Sequence, residues 1–360
     1  MKRLAVLLAL LAVLPTTPVL ARPAHVHPAP LTAPRVVAHP VAFPADTFAH
    51  AAAGVEWWYF VGHLADAAGH TYGFESTFFK FAGLRRYGSI VDALYRTDVA
   101  ISDESNRRFP HAITYALAAP PATVASTTTL RLRGGTLDIA TLGPLRYRIR
   151  GTMPGGGIDL VVASERPPML VHGGFIGWGV GYSYYYSLTH MRTTGTLTID
   201  GRRIPVQGTT WNDHQWGDMG GSSVKGWQWM ALQLGDGTDL SLVNERPASA
   251  PYATWAQALL SDDSQRFVRE AVITPLGSWR SPVTGTTYPM GWHVRVPRLG
   301  LDVTVRPTFP DQEMNDNGFL GFKKSYWEGS CAVTGTRDGR PISGKAYTEL
   351  TGYDNVSTAP

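Results

Sequence analysis

The segment Thr210-Trp211-Asn212-Asp213-His214-Gln215-Trp216-Gly217 is the densest set of groups able to do chemistry in this 360-residue chain: a carboxylate, an imidazole and two indoles. Burial in an aromatic-lined pocket shifts an acid or an imidazole toward neutrality, where it can pass a proton at ordinary pH. His214 and Asp213 are therefore the first candidates for acid/base groups, with Trp211 and Trp216 as pocket walls. The bland reading makes Asn212 and Asp213 turn formers and the tryptophans a clamp between domains. Along an extended strand successive side chains alternate. Asp213 then shares a face with Gln215, while His214 shares the other with Asn212 and Trp216, so the two groups need not enter one cavity.

The same parity sorts the run Val55 to Leu64, where Glu56 joins Trp58, Phe60 and Leu64, and His63 joins Trp57, Tyr59 and Val61. Glu56, and Glu75 in the run Tyr72 to Lys80, each sit among large apolar residues. A carboxyl so placed is either an acid of raised pKa or the buried partner of an arginine. The glycine-rich, aromatic run Arg166 to Gly179 reads as a loop over a barrel mouth, with His172 as a pocket base or a backbone-bonded ring. Tyr182 to Tyr186 sets phenols on both faces of a strand, and Tyr184 is taken as a cavity residue. The histidines of the folded part show no local pair at metal-ligand spacing. A zinc site would need long-range convergence, and neither metal nor cofactor is expected. Gly-x-Ser-x-Gly, His-Glu-x-x-His, phosphate-loop and dinucleotide motifs are absent. Arg131, Arg133, Arg146, Arg148 and Arg150 alternate as on solvated strand faces.

The elements that must position these residues come from an internal duplication. Trp57-x-Tyr59 followed by Leu64-x-Asp66 recurs as Trp227-x-Trp229 and Leu234-x-Asp236, an offset of 170. Each copy alternates and then meets a Gly/Asp turn, as a β-hairpin does. Asp200-Gly201-Arg202 leading to Trp211-x-Asp213 is matched by Asp338-Gly339-Arg340 leading to Tyr347-x-Glu349. Strand patterns fill the space between, at Thr71 to Phe81, Thr129 to Ile139, Leu145 to Gly151, Ile158 to Ala163, Tyr182 to Arg192 and Thr194 to Ile199. The fold class is all-β, two tandem antiparallel β-barrel domains at 46–218 and 219–354, closed to hide their edges. Paired β-sandwiches are the competing architecture.

Lys2-Arg3, the apolar run Leu4 to Leu14 and Val19-Leu20-Ala21 read as a cleavable signal peptide over 1–21, so the chain is expected to be secreted or periplasmic. An uncleaved signal anchor is the alternative. Residues 22–45, rich in Pro and His, read as a linker, and 355–360 as a tail. No later apolar run reaches the length of a membrane span, so no integral membrane segment is expected after cleavage. A formal charge of +4 spread along the chain gives no reason to expect nucleic acid. One cysteine, Cys331, excludes an internal disulfide.

Glu56-Trp57-Trp58-Tyr59, the run Trp211 to Gly217, Ser281-Pro282, Tyr288-Pro289, Asp311-Gln312-Glu313, Tyr326-Trp327-Glu328-Gly329 and Glu349-Leu350-Thr351-Gly352-Tyr353 together resemble the AttH-like family of predicted secreted hydrolases. That family is grouped with the carotenoid 1,2-hydratases. The resemblance implies two lipocalin-like barrels and a cofactor-free hydratase or hydrolase acting on an apolar, terpenoid-like or acyl small molecule. It also implies a role for His214-x-Trp216, which is similar to a His-x-Trp pair of the hydratases. Their Tyr-x-Asp pair has no match in Asp239 to Glu245, and Glu245 or Asp213 would stand in its place. The site expected is therefore His214, Asp213, Glu56 and Glu75 for catalysis, with Trp58, Trp211, Trp216, His172, Tyr184 and Glu245 around a hydrophobic ligand. A lipocalin-like carrier without chemistry is the alternative.

Overall fold

In the computed structural model the described residues are 38–83, 92–117, 123–178, 181–219, 224–247, 253–316, 318 and 324–353. The expected signal peptide, residues 22–37 of the linker and the tail lie outside them.

The first sheet is built from β1 (Val55–Ala65), β2 (Thr71–Phe81), β3 (Leu94–Asp103), β4 (His111–Leu117), β5 (Val124–Ala125) and β6 (Arg131–Gly134). It continues with β7 (Leu137–Gly143), β8 (Arg146–Met153), β9 (Gly156–Ser164), β10 (Met169–Trp178), β11 (Gly181–Ile199) and β12 (Arg202–Asp218). All pair antiparallel, in the order β4-β3-β2-β1-β12-β11-β9-β8-β7-β6-β5, with β10 on β11. The sheet curls until β3 packs across its interior on β6, β7 and β8.

The second sheet holds β13 (Val224–Leu234), β14 (Asp239–Pro247), β15 (Ala253–Leu259), β16 (Gln265–Val268) and β17 (Val272–Pro275). A small hairpin, β18 (Ser278–Arg280) with β19 (Thr287–Pro289), stands apart. Then come β20 (Trp292–Val296), β21 (Leu301–Pro307), β22 (Glu313–Met314), β23 (Tyr326–Arg337) and β24 (Arg340–Leu350). Their order, β16-β15-β14-β13-β24-β23-β21-β20-β17, repeats the centre of the first sheet with β13 for β1 and β24 for β12. The chain is thus two curled antiparallel sheets matching tandem lipocalin-like barrels, and the duplicated motifs occupy equivalent strands. Among the described residues no helix is long and apolar enough to cross a membrane.

The local chemistry accounts for these joints. The β11–β12 and β23–β24 turns put Asp200 and Gly201 at φ 50° and 78°, and Asp338 and Gly339 at φ 49° and 74°. Asp-Gly is the pair that tolerates two left-handed residues in a tight hairpin. Two of the predicted strands, 182–192 and 194–199, are one continuous strand, β11, whose register shifts against β12 between Leu188 and Met191. The predicted strand 129–139 is instead a hairpin, β6 turning into β7. The run 166–179, expected as a loop, carries β10, which pairs with β11 and breaks register between Leu170 and Phe175.

Three apolar bodies result. Trp58, Phe60, Phe74, Phe78 and Ile149 fill the first barrel, and Met230, Leu232, Trp292, Val294 and Trp327 fill the second. Between the barrels, Tyr59, Val61 and Trp211 of the first meet Trp229, Ala231 and Tyr347 of the second. Strands β1 and β12 are consequently buried on both faces. A strap, residues 38–50, closes the mouth of the first barrel: His39 stacks on Tyr184 at 4.5 Å and Phe43 meets Tyr186 edge-on at 4.8 Å. The Trp58 indole donates to the Thr47 carbonyl at 3.0 Å, fixing the strap from below.

The barrels are in close contact at Gly73 of β2, where an added Cβ would stand 2.8 Å from Cβ of Ser330 on β23. Gly73→Val is expected to wedge the seam and lower the unfolding free energy by about 1–3 kcal/mol. Gly54→Ala, whose Cβ would meet its nearest atom at 3.8 Å, should stay within about 0.5 kcal/mol. Urea denaturation of the two variants checks both.

Candidate active site

Backbone pairing decides which candidates meet. On β1 and β12, Trp58 lies opposite His214 and Glu56 opposite Trp216, while Tyr59 lies opposite Asp213 and Val61 opposite Trp211. The first group points into the first barrel and the second into the seam. Asp213 and His214 therefore serve different sites.

In the seam, carboxyls from both barrels converge. Glu75 and Asp98 come from β2 and β3, and Glu328 and Glu349 face each other across β23 and β24. Tyr326 Oη donates to Asp98 Oδ2 at 2.6 Å and lies 3.1 Å from Glu75 Oε1, a phenol of one barrel joining two acids of the other. Reciprocally, Tyr59 Oη of the first barrel donates to Glu328 at 3.0 Å. Asp213 accepts from Ser187 Oγ and Trp211 Nε1, each at 2.6 Å, and from Tyr185 Oη at 2.5 Å. Trp227 Nε1 donates to Glu349 Oε2 at 2.7 Å. Arg96 grips Asp98 with two nitrogens, at 2.8 and 2.7 Å. Among the described residues no salt bridge reaches Glu75, Asp213, Glu328 or Glu349, and Glu75 Oε2 has no hydrogen-bond partner.

Buried carboxyls without cations hold their protons. Burial, then the charge of Asp98, pushes Glu75 up to about 8. Burial lifts Glu349 to about 7 and Asp213 to about 6 against the hydrogen bonds each accepts. Burial, with Glu75 and Glu349 alongside, takes Glu328 well above the ordinary range. His63, on the same face, is pushed by burial down to about 3, which leaves it neutral, with Nδ1 3.2 Å from Ser330 Oγ. The seam therefore offers Glu75 and Glu328 as neutral carboxylic acids at neutral pH, with Glu349 and Asp213 raised toward that range, all of them buried. Beside it Val61, His63, Trp211, Ala231, Gln233 and Tyr347 line a water-sized gap.

The first barrel's interior gathers Glu56, His214, Trp58, Trp216 and Tyr184. Trp58 stacks on His214 at 4.6 Å, and His50, Trp216 and Tyr184 form a further stack at 4.2 and 5.2 Å. Burial would raise Glu56, but hydrogen bonds from His214 and His50 and the charge of Lys80 bring it down to about 2. Burial pushes His214 the other way, toward its neutral form. Glu56 is thus a permanent anion and no proton donor, the ion-paired reading of that residue.

Two expected residues join neither group. His172 stands at φ 52° in the irregular part of β10, its ring 4.0 Å from that of Phe267 and 5.0 Å from that of Trp255. Glu245 is half-buried near the end of β14, 3.4 Å from Trp255 Nε1. Missed from the sequence were Asp98, Glu328, Glu349, Tyr59 and Tyr326 in the seam, and His50, Asp46 and Lys80 in the barrel. Glu328 and Glu349 stand inside motifs that carry the family resemblance, which was the available signal.

A carboxyl whose pKa is higher folded than unfolded binds more protons in the native state, so its stabilisation is full in acid and lost as pH rises through the folded value. For Glu75 and Glu349 that window runs from the ordinary value of 4.5 to about 8 and about 7. Unfolding free energy should fall between pH 6.5 and 8, each proton adding up to about 1.4 kcal/mol per pH unit to the slope. His63, about 3 when folded and 6.5 when unfolded, acts in the opposite sense, and its contribution levels off above pH 6.5 as the unfolded chain loses that proton. Denaturation curves at stepped pH should show a shallower slope for Glu75→Gln.

The family model for AttH-like proteins matches residues 34–353. Among solved structures, a Nitrosomonas europaea protein assigned to AttH is 29% identical, with a TM-score of 0.77 over 88% of this chain and 98% of its own. Kievitone hydratase from Nectria haematococca, 17% identical, has a TM-score of 0.71 over 86% of this chain and 92% of its own. CghA, solved with Sch210972, is 11% identical, with a TM-score of 0.52 over 84% and 89%. The last two likenesses concern the fold. No curated protein matches the chain in sequence. The span of the family match, which takes in all of the described residues, identifies this protein as a member of the AttH-like family.

Proposed function

We propose that this protein is a cofactor-free hydratase that adds water to a carbon–carbon double bond of an apolar, terpenoid-like small molecule held in the seam between its barrels. The observation that carries the reading is Glu75: fully buried, pushed up to about 8 and so protonated at neutral pH, with Oε2 unpartnered. Water addition to an unactivated alkene needs such an acid and a wall that shelters a cation, and nothing else. Glu75 would give its proton to one alkene carbon, forming a C–H bond at the expense of the π bond. The positive charge on the other carbon would lie against the rings of Tyr59, Tyr326 and Trp229, the first and last of which meet edge-on at 5.2 Å. Water then forms the C–O bond, and its proton returns to the Glu75 carboxylate, closing the cycle.

Tyr326 positions the acid from the second barrel, and Asp98 is kept occupied by Arg96, so that Glu75 has no cation of its own. That a structural likeness extends to kievitone hydratase adds support from fold alone. The reading includes export, supported by the basic start and the apolar run Leu4 to Leu14.

The test is turnover of an isoprenoid alkene panel in ¹⁸O-labelled water, followed by mass spectrometry of the alcohols. Labelled product from the native chain and a loss of about 10²–10⁴-fold in kcat for Glu75→Gln support the reading. Turnover that survives Glu75→Gln and Glu328→Gln but vanishes in His214→Ala would move the chemistry into the first barrel. Binding without turnover across the panel would leave a carrier.

A further inference from the structure

His50 and His214 each spend one ring nitrogen on an oxygen that can only accept. His50 Nε2 lies 3.2 Å from Asp46 Oδ1, and His214 Nδ1 lies 3.0 Å from the main-chain oxygen of Asp46. In the neutral tautomers that satisfy those oxygens, these nitrogens carry the hydrogens. The remaining two, His50 Nδ1 and His214 Nε2, face the same atom, Glu56 Oε1, at 2.7 and 3.1 Å. In a neutral imidazole the second nitrogen is a lone pair, so with both rings neutral two lone pairs and a carboxylate oxygen converge on one point.

The other oxygen of Glu56 is already served. Oε2 accepts from Lys80 Nζ at 3.1 Å and from the His50 main-chain N–H at 3.0 Å. Oε1 shares that N–H at 3.1 Å and is the oxygen that faces the rings. Two added protons or one divalent cation would satisfy the convergence, and the total charge is the same either way. An imidazole held by a carboxylate or carbonyl at its far N–H is how metal-binding histidines are oriented; two doubly protonated rings donating to Glu56 would make the same outer bonds, and metal titration separates the two.

We propose that His50 Nδ1, Glu56 Oε1 and His214 Nε2 form a binding site for a divalent cation of the zinc class, which fastens the strap over the mouth of the first barrel. Two imidazoles and one carboxylate suit zinc or a neighbouring transition ion rather than calcium or magnesium, which prefer all-oxygen sets. The three ligand atoms lie within 4.8 Å of one another. An ion at about 2.0–2.2 Å from each would require them within about 4.2 Å, and the strap ring of His50 supplies the movement. His50 keeps 22% of its side chain exposed, an entry path for the ion, whereas Glu56 and His214 are wholly buried. The ligands come from three separated segments, so the site exists only when the strap is seated.

The experiment uses the full chain without an affinity tag, carrying His25→Ala and His27→Ala to remove the tract histidines, treated with chelator and titrated with cobalt(II) and with zinc. The expected result is one equivalent of cobalt giving the visible ligand-field bands of a low-coordinate site, displaced by zinc, and a zinc-dependent rise in Tm. His50→Ala leaves every barrel strand unchanged and should weaken binding at least 100-fold, while His70→Ala, in the exposed β1–β2 turn, should bind as the parent does. A parent chain without cobalt bands or zinc-dependent Tm overturns the site, and so do bands that survive His50→Ala. Because the readout is spectroscopic, its failure leaves the seam acid untouched, and a failed hydration assay leaves this site untouched.

Discussion

Strands β1 and β12 are paired over eleven residues and buried on both faces, and the two-residue period of a strand then gives each of them two unrelated environments. Glu56, Trp58, His214 and Trp216 are committed to the inside of the first barrel by the same register that commits Tyr59, Val61, Trp211 and Asp213 to the seam. A slip of one residue would exchange the two sets. Residues of both clusters are placed by that pairing, and so is the strap, whose anchor Trp58 belongs to the inner set.

The seam is held together in an unusual way for a buried interface. Carboxyls outnumber their cations there, and Glu328 stands directly opposite Glu349, an arrangement that would repel if both were ionised. Protonation removes the repulsion, and the phenols of Tyr59 and Tyr326 supply hydrogen bonds that a lone acid in apolar surroundings lacks. Apolar residues at these places would serve packing at least as well. The presence of neutral acids there instead, one with a bare oxygen, is the feature on which the proposed chemistry of the seam rests.

The fold was legible because its signals are local. Alternation, Asp-Gly turns and the 170-residue offset each survive in short windows, and parity alone separated Glu56 from His63 and allowed Asp213 and His214 to part. The site was half legible for the opposite reason. Glu328 reaches its phenol partner Tyr59 across 269 positions, and His50 reaches Glu56 only because a strap without periodicity folds back over the barrel. His172 illustrates a third failure: an irregularity inside β10 breaks the count of alternating faces, so a residue expected at a barrel mouth lies instead against Trp255 and Phe267 of the second sheet.

The duplication itself distinguishes the two faces. Carrying β1 onto β13 and β12 onto β24 takes Trp57, Tyr59, Trp211 and Asp213 to Trp227, Trp229, Tyr347 and Glu349, so the seam side keeps its rings and its raised acid in both copies. The inner side does not. Glu56, Trp58, His214 and Trp216 map to Gly226, Gln228, Leu350 and Gly352, and the pairing of Trp58 with His214 becomes that of Gln228 with Leu350. The second barrel thus repeats the half of the first that faces it and abandons the half that a strap must close. A surface kept by both copies is one whose chemistry needs both, as the crossed bonds of Tyr59 to Glu328 and of Tyr326 to Glu75 require. The inner cluster, present in one copy alone, belongs to the strap and to whatever holds it down.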